Sequence, residues 1–193
     1  MNKSEQFWKN LDRAIAKSGQ YGIHYSQSLY FHDYKPEKNK EIADKINEYY
    51  LQIIEDRDKR GINRYITAMD CSGMSILIHR FLTQLNIPSM LIIGDMSIQG
   101  HPEYETTYQY LENELNNIRS SKIQYHVWVI VENFMIIDPT IRLKESERED
   151  FLNKKTNSGV FISDIEKLPQ EIEYIPYLLG EEFLHKTNPN PFI

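Results

Sequence analysis

Three residues of the chain have types and an order that fit nucleophilic catalysis by a thiol. Cys71 is the only cysteine among 193 residues, which excludes an intramolecular disulfide and a cysteine-rich metal site. His126 follows within YHVWV (125–129), and Asp138 follows within IDPT (137–140). A thiolate attacks a carbonyl carbon, an imidazole takes up and returns the proton, and a carboxylate holds the imidazole tautomer. These residue types indicate acyl transfer through a thioester.

Each of the three residues also has a simpler structural interpretation. A lone cysteine is commonly a small buried hydrophobic residue. A histidine in a strand can be a hydrogen-bonded core residue, and an aspartate before proline can cap a turn. The order Cys71, His126, Asp138 favours catalysis over these alternatives.

The reactivity of Cys71 depends on the helix that the sequence predicts to begin there. A helix N-terminus stabilises a thiolate through its unpaired N–H groups and its dipole, by roughly 0.3–1 kcal/mol at an exposed position. Asp70 opposes this effect, because an adjacent carboxylate raises the pKa of a thiol unless its side chain turns away to cap the helix. A nucleophilic Cys71 therefore requires Asp70 to be the cap.

The elements that must position these residues are predicted from hydrophobic spacing. A buried helix is expected from Cys71 to Leu85, ended by Asn86-Ile87-Pro88. A short core strand follows at Met90 to Ile93, closed by Gly94. An amphipathic helix is predicted within the insertion 95–121, because apolar residues there recur at steps of three and four: Tyr104, Tyr108, Leu111, Leu115 and Ile118. Its aromatic end is expected to border a pocket.

The candidate histidine and aspartate are expected on a hairpin formed by Ile123 to Val131 and Phe134 to Ile137. Paired residue numbers in an antiparallel hairpin have a constant sum, and 126 plus 138 gives 264, an even number. A two-residue turn pairing 131 with 134 would give the odd sum 265 and put Asp138 on the opposite face. A triad therefore needs an odd loop or a bulge, and Asn133 suits a three-residue loop because it tolerates the left-handed conformation.

The rest of the chain predicts further helices around this region. Ser4 is expected to cap a helix with Phe7, Trp8, Leu11 and Ile15 that stops near Gly19. A second helix should open near Pro36, present Ile42, Ile46, Tyr49, Ile53 and Ile54, and end in the charged run 55–60 before Gly61. A charged helix start at Glu145 to Asp150 and a strand at Val160 to Ile162 follow. The absence of repeats and flexible linkers predicts one domain over residues 1–193.

The stretch of about 70–140 resembles the transglutaminase-like superfamily. A cysteine opening a buried helix is followed by LNIPSMLIIGDM, then YHVWVIV, then MIIDPT. The resemblance implies a papain-like α+β fold, with the nucleophile on a central helix packed against an antiparallel sheet and with extra N-terminal helices. It implies that Cys71, His126 and Asp138 are nucleophile, base and orienting residue, and that Trp128 packs beside His126. The segment 63–65 lacks the glutamine that papain-like proteases use as an oxyanion donor, and the calcium sites of animal transglutaminases are not recognisable.

Composition limits the possible partners. The net charge is −6 and the Lys and Arg residues are scattered, which argues against nucleic-acid binding. No apolar run approaches the roughly 20 residues of a membrane-spanning helix, so we expect no membrane association. The N-terminus has no Sec-type signal pattern, which predicts a cytoplasmic location and leaves secretion by another route open. The histidines show no metal-ligand spacing and the glycines form no phosphate-binding loop, so we expect no metal or cofactor.

The sequence therefore predicts a cysteine-dependent acyl-transfer enzyme acting on an amide of a peptide or protein. A peptidase, amidase, deamidase and transamidase share the same triad, and hydrolysis is favoured because a small exposed site does not exclude water. Trp128, Tyr65, Tyr104 and Tyr108 are expected to line the site. The alternative is a catalytically inactive transglutaminase-like fold used as a peptide- or protein-binding module.

Overall fold

A computed structural model describes residues 2–23, 36–118, 122–131, 135–142 and 159–187. Within these residues the chain combines helices with an antiparallel sheet, which confirms the predicted α+β class. The helices are α1 (Lys3–Gln20), α2 (Pro36–Lys59), α3 (Arg64–Met69), α4 (Cys71–Gln84), α5 (Tyr108–Leu115) and α6 (Glu181–Thr187). The strands are β1 (Ser89–Ile98), β2 (His101–Pro102), β3 (His126–Val131), β4 (Met135–Asp138), β5 (Phe161–Asp164) and β6 (Ile172–Leu179), and Ile165–Lys167 forms a 3-10 helix.

The strands form one sheet in the order β2-β1-β3-β4-β5, and β6 pairs with β1. The β1–β6 register shifts between Ile93 and Gly94, where Ile93 pairs with Leu178 and Gly94 with Pro176. The prediction that β1 ends at Gly94 is therefore wrong. Gly94 lies at an irregularity inside a longer strand, a position at which glycine is common.

The chain divides into two compact units. Unit 1 comprises Met1–Ser28, Met90–Val127 and Asp164–Ile193, and unit 2 comprises Leu29–Ser89 and Trp128–Ser163. The expectation of a single domain over 1–193 stays a prediction.

In unit 1, helix α1 packs against β6. The predicted cap Ser4 is wrong, because Asn2 is the N-cap and forms a capping box with Glu5. The Asn2 side chain accepts from the Glu5 N–H, and the Glu5 carboxylate accepts from the Asn2 N–H. Near the other end of α1, buried Ser18 accepts a hydrogen bond from the Leu179 N–H at 2.8 Å, which ties the helix to β6.

In unit 2, helices α2 and α4 pack together. The predicted bounds of both helices agree with the structure to within one or two residues. The buried face of α2 includes Tyr50, which is fully buried, whereas the predicted Tyr49 is only half-buried. The Tyr49 ring stacks on Phe81 of α4, with ring centroids 4.2 Å apart. The two consecutive tyrosines therefore contact different surroundings, a distinction that spacing alone does not make.

Strand β3 is buried along its whole length, from His126 to Val131. Successive side chains of a strand point to opposite faces of the sheet, so burial at every position means that both faces of β3 are covered and that it has no solvent side. The strand begins at His126 and not at the predicted Ile123, which is 60% exposed. Its partner β4 begins at Met135, and the predicted first residue Phe134 lies outside the described residues.

Two further predictions need correction. The predicted helix 104–118 is shorter, because Thr107 caps α5 by accepting from the Tyr110 N–H and the helix ends at Leu115. Tyr104 therefore precedes the helix. The predicted strand Val160 to Ile162 corresponds to β5, whereas the predicted helix start at Glu145 to Asp150 lies outside the described residues. Strand β6 and helix α6 were not predicted.

Candidate active site

Cys71 is the first residue of α4 and is 6% exposed. The preceding residue, Asp70, is the N-cap, and its Oδ1 accepts a hydrogen bond from the Gly73 N–H at 2.9 Å. This confirms the condition that the sequence set for a reactive thiol. The carboxylate satisfies a donor at the helix start and is held by that bond.

The second oxygen of Asp70 binds a positive charge. Arg57 of α2 donates from Nη2 to Oδ2 of Asp70 at 2.5 Å. The two side chains are 16% and 33% exposed, so the pair is partly shielded from water. The guanidinium offsets the negative charge that would otherwise oppose a thiolate at Cys71, and the dipole of α4 favours an anion at the same place.

Asp138 is fully buried and is the last residue of β4. Its Oδ1 accepts from the Thr140 N–H at 2.9 Å, the Ile141 N–H at 3.1 Å and the Thr140 hydroxyl at 3.2 Å. The interpretation of IDPT as a capped turn is thus correct for this oxygen. Three hydrogen bonds to one oxygen also fix the orientation of the whole carboxylate.

The charge of Asp138 acts on Tyr50 of the same unit. Burial, and after it the Asp138 carboxylate, raises the pKa of Tyr50 to about 12. The Tyr50 hydroxyl is buried and makes no hydrogen bond with a described residue. A neutral phenol beside a carboxylate is the electrostatically favoured state at this position.

The hairpin register meets the condition derived from the sequence. Val129 pairs with Ile137, Ile130 with Ile136 and Val131 with Met135, so the paired numbers sum to 266. Three residues, 132–134, separate the last pair, and the expected loop residue Asn133 lies outside the described part of the chain. The even sum is the parity that a triad requires. One step further along the register, Asp138 lies opposite Trp128.

His126 is fully buried at the start of β3 and lies in unit 1, whereas Cys71 and Asp138 belong to unit 2. Its imidazole stacks on the ring of Tyr104, with centroids 5.1 Å apart and planes at 14°. A second ring, that of Tyr174 on β6, lies 6.5 Å away at 26°. The structure therefore brings one predicted site-lining tyrosine, Tyr104, to the candidate base.

The other predicted lining residues have different surroundings. Tyr108 lies against Tyr177, with centroids 4.9 Å apart, at a cavity of about 130 Å³ in unit 1. Burial raises the pKa of both tyrosines. Tyr65 on α3 is 56% exposed, and Trp128 is fully buried in β3. The roles of these residues at the site stay predictions.

Sequence reasoning missed three residues around the candidate site: Arg57, Asp95 and Tyr174. Arg57 belongs to a charged run that is typical of a solvated helix end. Asp95 had a usable signal, because a lone carboxylate within the apolar run MLIIGDM must find hydrogen-bond partners if it is buried. Tyr174 stands in a segment whose strand was not predicted.

No family model, curated protein or solved structure matches the chain.

Two other features are absent from the described ranges. No group of three or more His, Cys, Asp or Glu side chains there has an arrangement that could hold a metal ion. None of the helices described for this chain has both the length and the apolar character needed to cross a bilayer.

Proposed function

We propose that the chain is a cysteine-dependent acyl-transfer enzyme with a transglutaminase-like, papain-like core. Cys71 is the nucleophile, His126 the base and Asp138 the residue that orients the imidazole. The observation that carries the proposal is the hairpin register, whose paired numbers sum to 266. An even sum puts Asp138 and the even-numbered positions of β3 on one face of the hairpin, whereas an odd sum would exclude a triad.

The helix start at Cys71 supports the role of nucleophile. The thiol proton passes to the His126 imidazole, and the thiolate attacks the amide carbonyl carbon. The positive end of the α4 dipole and the Arg57 charge on Asp70 both favour the thiolate. The backbone N–H of Cys71 is the donor proposed for the oxyanion that forms on the substrate.

The reaction then proceeds through a thioester. The carbon–nitrogen bond breaks, and the amine leaves with the proton that His126 took from the thiol. Water attacks the thioester, His126 accepts a water proton, and the carboxylic acid leaves as the thiol is restored. An amine in place of water would give transamidation by the same steps. Hydrolysis is preferred because water is the acceptor present at the highest concentration.

The hydrogen bonds of Asp138 support its role as the orienting residue. Its Oδ1 is held by the turn that follows β4. We propose that its other oxygen accepts the imidazole N–H of His126, fixing the tautomer that takes the thiol proton. The carboxylate stays charged throughout and stabilises the imidazolium that forms.

The substrate is proposed to be an amide of a peptide or protein. An exposed apolar surface precedes the nucleophile directly in the chain, formed by Tyr65, Ile66 and Met69 of α3, each 56–57% exposed. The same surface favours the second candidate function, a binding module for a peptide or protein in which Cys71 is inert.

The experiment is acylation by p-nitrophenyl acetate, followed by intact-mass spectrometry and peptide mapping. We expect one acetyl group on Cys71, none in Cys71→Ser, and a strongly reduced rate in His126→Ala. The control His101→Ala removes an exposed histidine of β2 and should acylate like the wild type. Acylation of Cys71 in His126→Ala at the same rate as in the wild type would contradict the proposed enzyme activity and favour the binding module.

A further inference from the structure

The imidazole of His126 has an aromatic neighbour whose position is fixed by a buried carboxylate. We propose that Tyr104 is a positioning residue that holds the imidazole plane, and that Asp95 is the residue that holds Tyr104 in place. This inference rests on the proposed function, because it assigns roles around the proposed base. All of the residues that carry it belong to unit 1.

The imidazole needs such a constraint. The terminal torsion of a histidine side chain is broad and roughly two-fold, so the backbone of a strand does not fix the plane of the ring. The rings of Tyr104 and His126 lie nearly parallel, at 14°, with centroids 5.1 Å apart. Aromatic rings favour stacked or edge-to-face contacts, so the stacked orientation of the imidazole is favoured over a rotated one.

Asp95 organises the segment that carries Tyr104. Its carboxylate is 4% exposed, and it accepts three backbone hydrogen bonds. Oδ1 accepts from the Met96 N–H at 2.8 Å and from the Tyr104 N–H at 3.1 Å. Oδ2 accepts from the Thr106 N–H at 2.9 Å. A buried carboxylate needs hydrogen-bond donors, and two of these three bonds hold the segment 104–106 close to Asp95.

Two further hydrogen bonds tie the same segment to β1. The Thr106 hydroxyl donates to the Gly94 carbonyl oxygen at 3.0 Å, and the Glu103 N–H donates to the Met96 carbonyl oxygen at 2.9 Å. Between them, Glu105 has a φ of +55°, a left-handed conformation that a non-glycine residue adopts at some cost. The Asp95 bonds on both sides of Glu105 offset that cost and set the direction of the Tyr104 side chain.

A second tyrosine limits the imidazole further. Tyr174 pairs with Met96 across β1 and β6, and its ring centroid lies 6.5 Å from that of His126. The strand that carries Asp95 thus also fixes the second aromatic neighbour of the imidazole. Tyr174 is held by regular strand pairing, whereas the position of Tyr104 depends on the Asp95 hydrogen bonds. A single substitution at Asp95 can therefore free the Tyr104 ring from its place beside the imidazole.

The test compares four variants of the full chain by iodoacetamide alkylation of Cys71 and by the His126 Cε1–H resonance, assigned by its loss in His126→Gln. Tyr104→Leu should lose the upfield ring-current displacement of the resonance and slow alkylation by about tenfold, a moderate loss for a misplaced catalytic group. Tyr104→Phe keeps the ring and should restore both. Asp95→Asn has one acceptor oxygen in place of two, so it cannot accept from both the Tyr104 N–H and the Thr106 N–H as the two carboxylate oxygens do, and both readouts should change in the direction of Tyr104→Leu. Trp8→Leu removes a ring of α1 that lies edge-on to Phe7 in the same unit and is the control.

The outcomes separate this inference from the proposed function. If His126→Ala slows alkylation but Tyr104→Leu does not, the positioning role is wrong and the proposed base stands. If His126→Ala leaves alkylation unchanged, the proposed function fails and the positioning role fails with it. If Tyr104→Leu does not fold, Asp95→Asn tests the positioning role instead, because it loosens the segment that carries Tyr104 and keeps the tyrosine ring. An unchanged resonance and rate in Asp95→Asn would then overturn the inference.

Discussion

Arg57 of α2 forms an ion pair with Asp70, the residue that directly precedes the candidate nucleophile. Asp70 uses its other oxygen to cap α4 through the Gly73 N–H. The Asp70 carboxylate therefore caps the N-terminus of α4 and has its charge neutralised by Arg57 at the same time. In the proposed enzyme this arrangement makes an acidic residue next to Cys71 compatible with a reactive thiolate.

The role of this ion pair predicts opposite effects of two substitutions on alkylation of Cys71 at neutral pH. Arg57→Gln leaves the Asp70 charge unpaired beside the thiol, and we expect the rate to fall by about threefold to tenfold. Asp70→Asn keeps the cap, because asparagine caps helices as well as aspartate, but removes the charge. Its rate should rise.

The control for these variants is Arg60→Gln, which breaks an exposed ion pair with Asp56 on the same helix. Its rate should equal that of the wild type. A change in the same direction for Arg57→Gln and Asp70→Asn would show that the charge of Asp70 does not control the thiol.

We predict that the Asp70 cap of α4 requires a glycine at position 73. A Cβ at position 73 would contact the Asp70 carboxylate, whereas a Cβ at Gly19 in α1 would meet open space. Gly19→Ala should raise the free energy of unfolding by about 0.5–1 kcal/mol, because alanine favours a helix. Gly73→Ala should lower the free energy of unfolding by about 1 kcal/mol, because losing the Asp70 cap costs more than the helix preference of alanine contributes. Urea unfolding measures both, and equal stabilisation by the two substitutions would rule out the steric requirement at Gly73.

Tyr50 predicts a loss of stability at alkaline pH. Burial raises its pKa from 10.0 to about 12 in the folded state, with Asp138 adding to the shift. The stabilisation of the neutral phenol is fully present below pH 10 and is lost as the pH rises through about 12, because only the unfolded chain ionises easily in that window. A shift of this size corresponds to about 2–3 kcal/mol.

Tyr50→Phe should remove this pH dependence and cost little at pH 8, since the hydroxyl makes no hydrogen bond with a described residue. The measurement is the difference in unfolding free energy between wild type and variant at pH 8 and above pH 11. Tyr65→Phe, at a position 56% exposed, is the matched control. A difference that does not change with pH would contradict the burial of a neutral phenol.

The helix that carries Cys71 could be predicted from sequence because it depends on local rules, whereas the sequence left two possible parities for the hairpin. Apolar spacing and Asn86-Ile87-Pro88 give the length of α4, and the residue count between two strands limits their register. The count alone could not choose between a two-residue and a three-residue loop. That choice depends on packing of both strands in the sheet.

Tyr104 shows why spacing failed in the insertion. Its step of four to Tyr108 is typical of a helix, but the Asp95 carboxylate holds the Tyr104 N–H and Thr107 caps the helix later. Asp95 precedes Tyr104 by nine residues and acts through a hydrogen bond from its side chain to the backbone. The periodic spacing of apolar residues carries no information about such a bond. The ion pair of Arg57 with Asp70 was missed for the same reason.

The reactivity of the sole thiol toward iodoacetamide at neutral pH, measured in wild type and in His126→Ala, tests the central claim most directly. If the imidazole takes the thiol proton, Cys71 should alkylate much faster than a free model thiol. His126→Ala should lose that excess, while His101→Ala keeps it. Equal rates in wild type, His126→Ala and the model thiol would show that His126 does not activate Cys71.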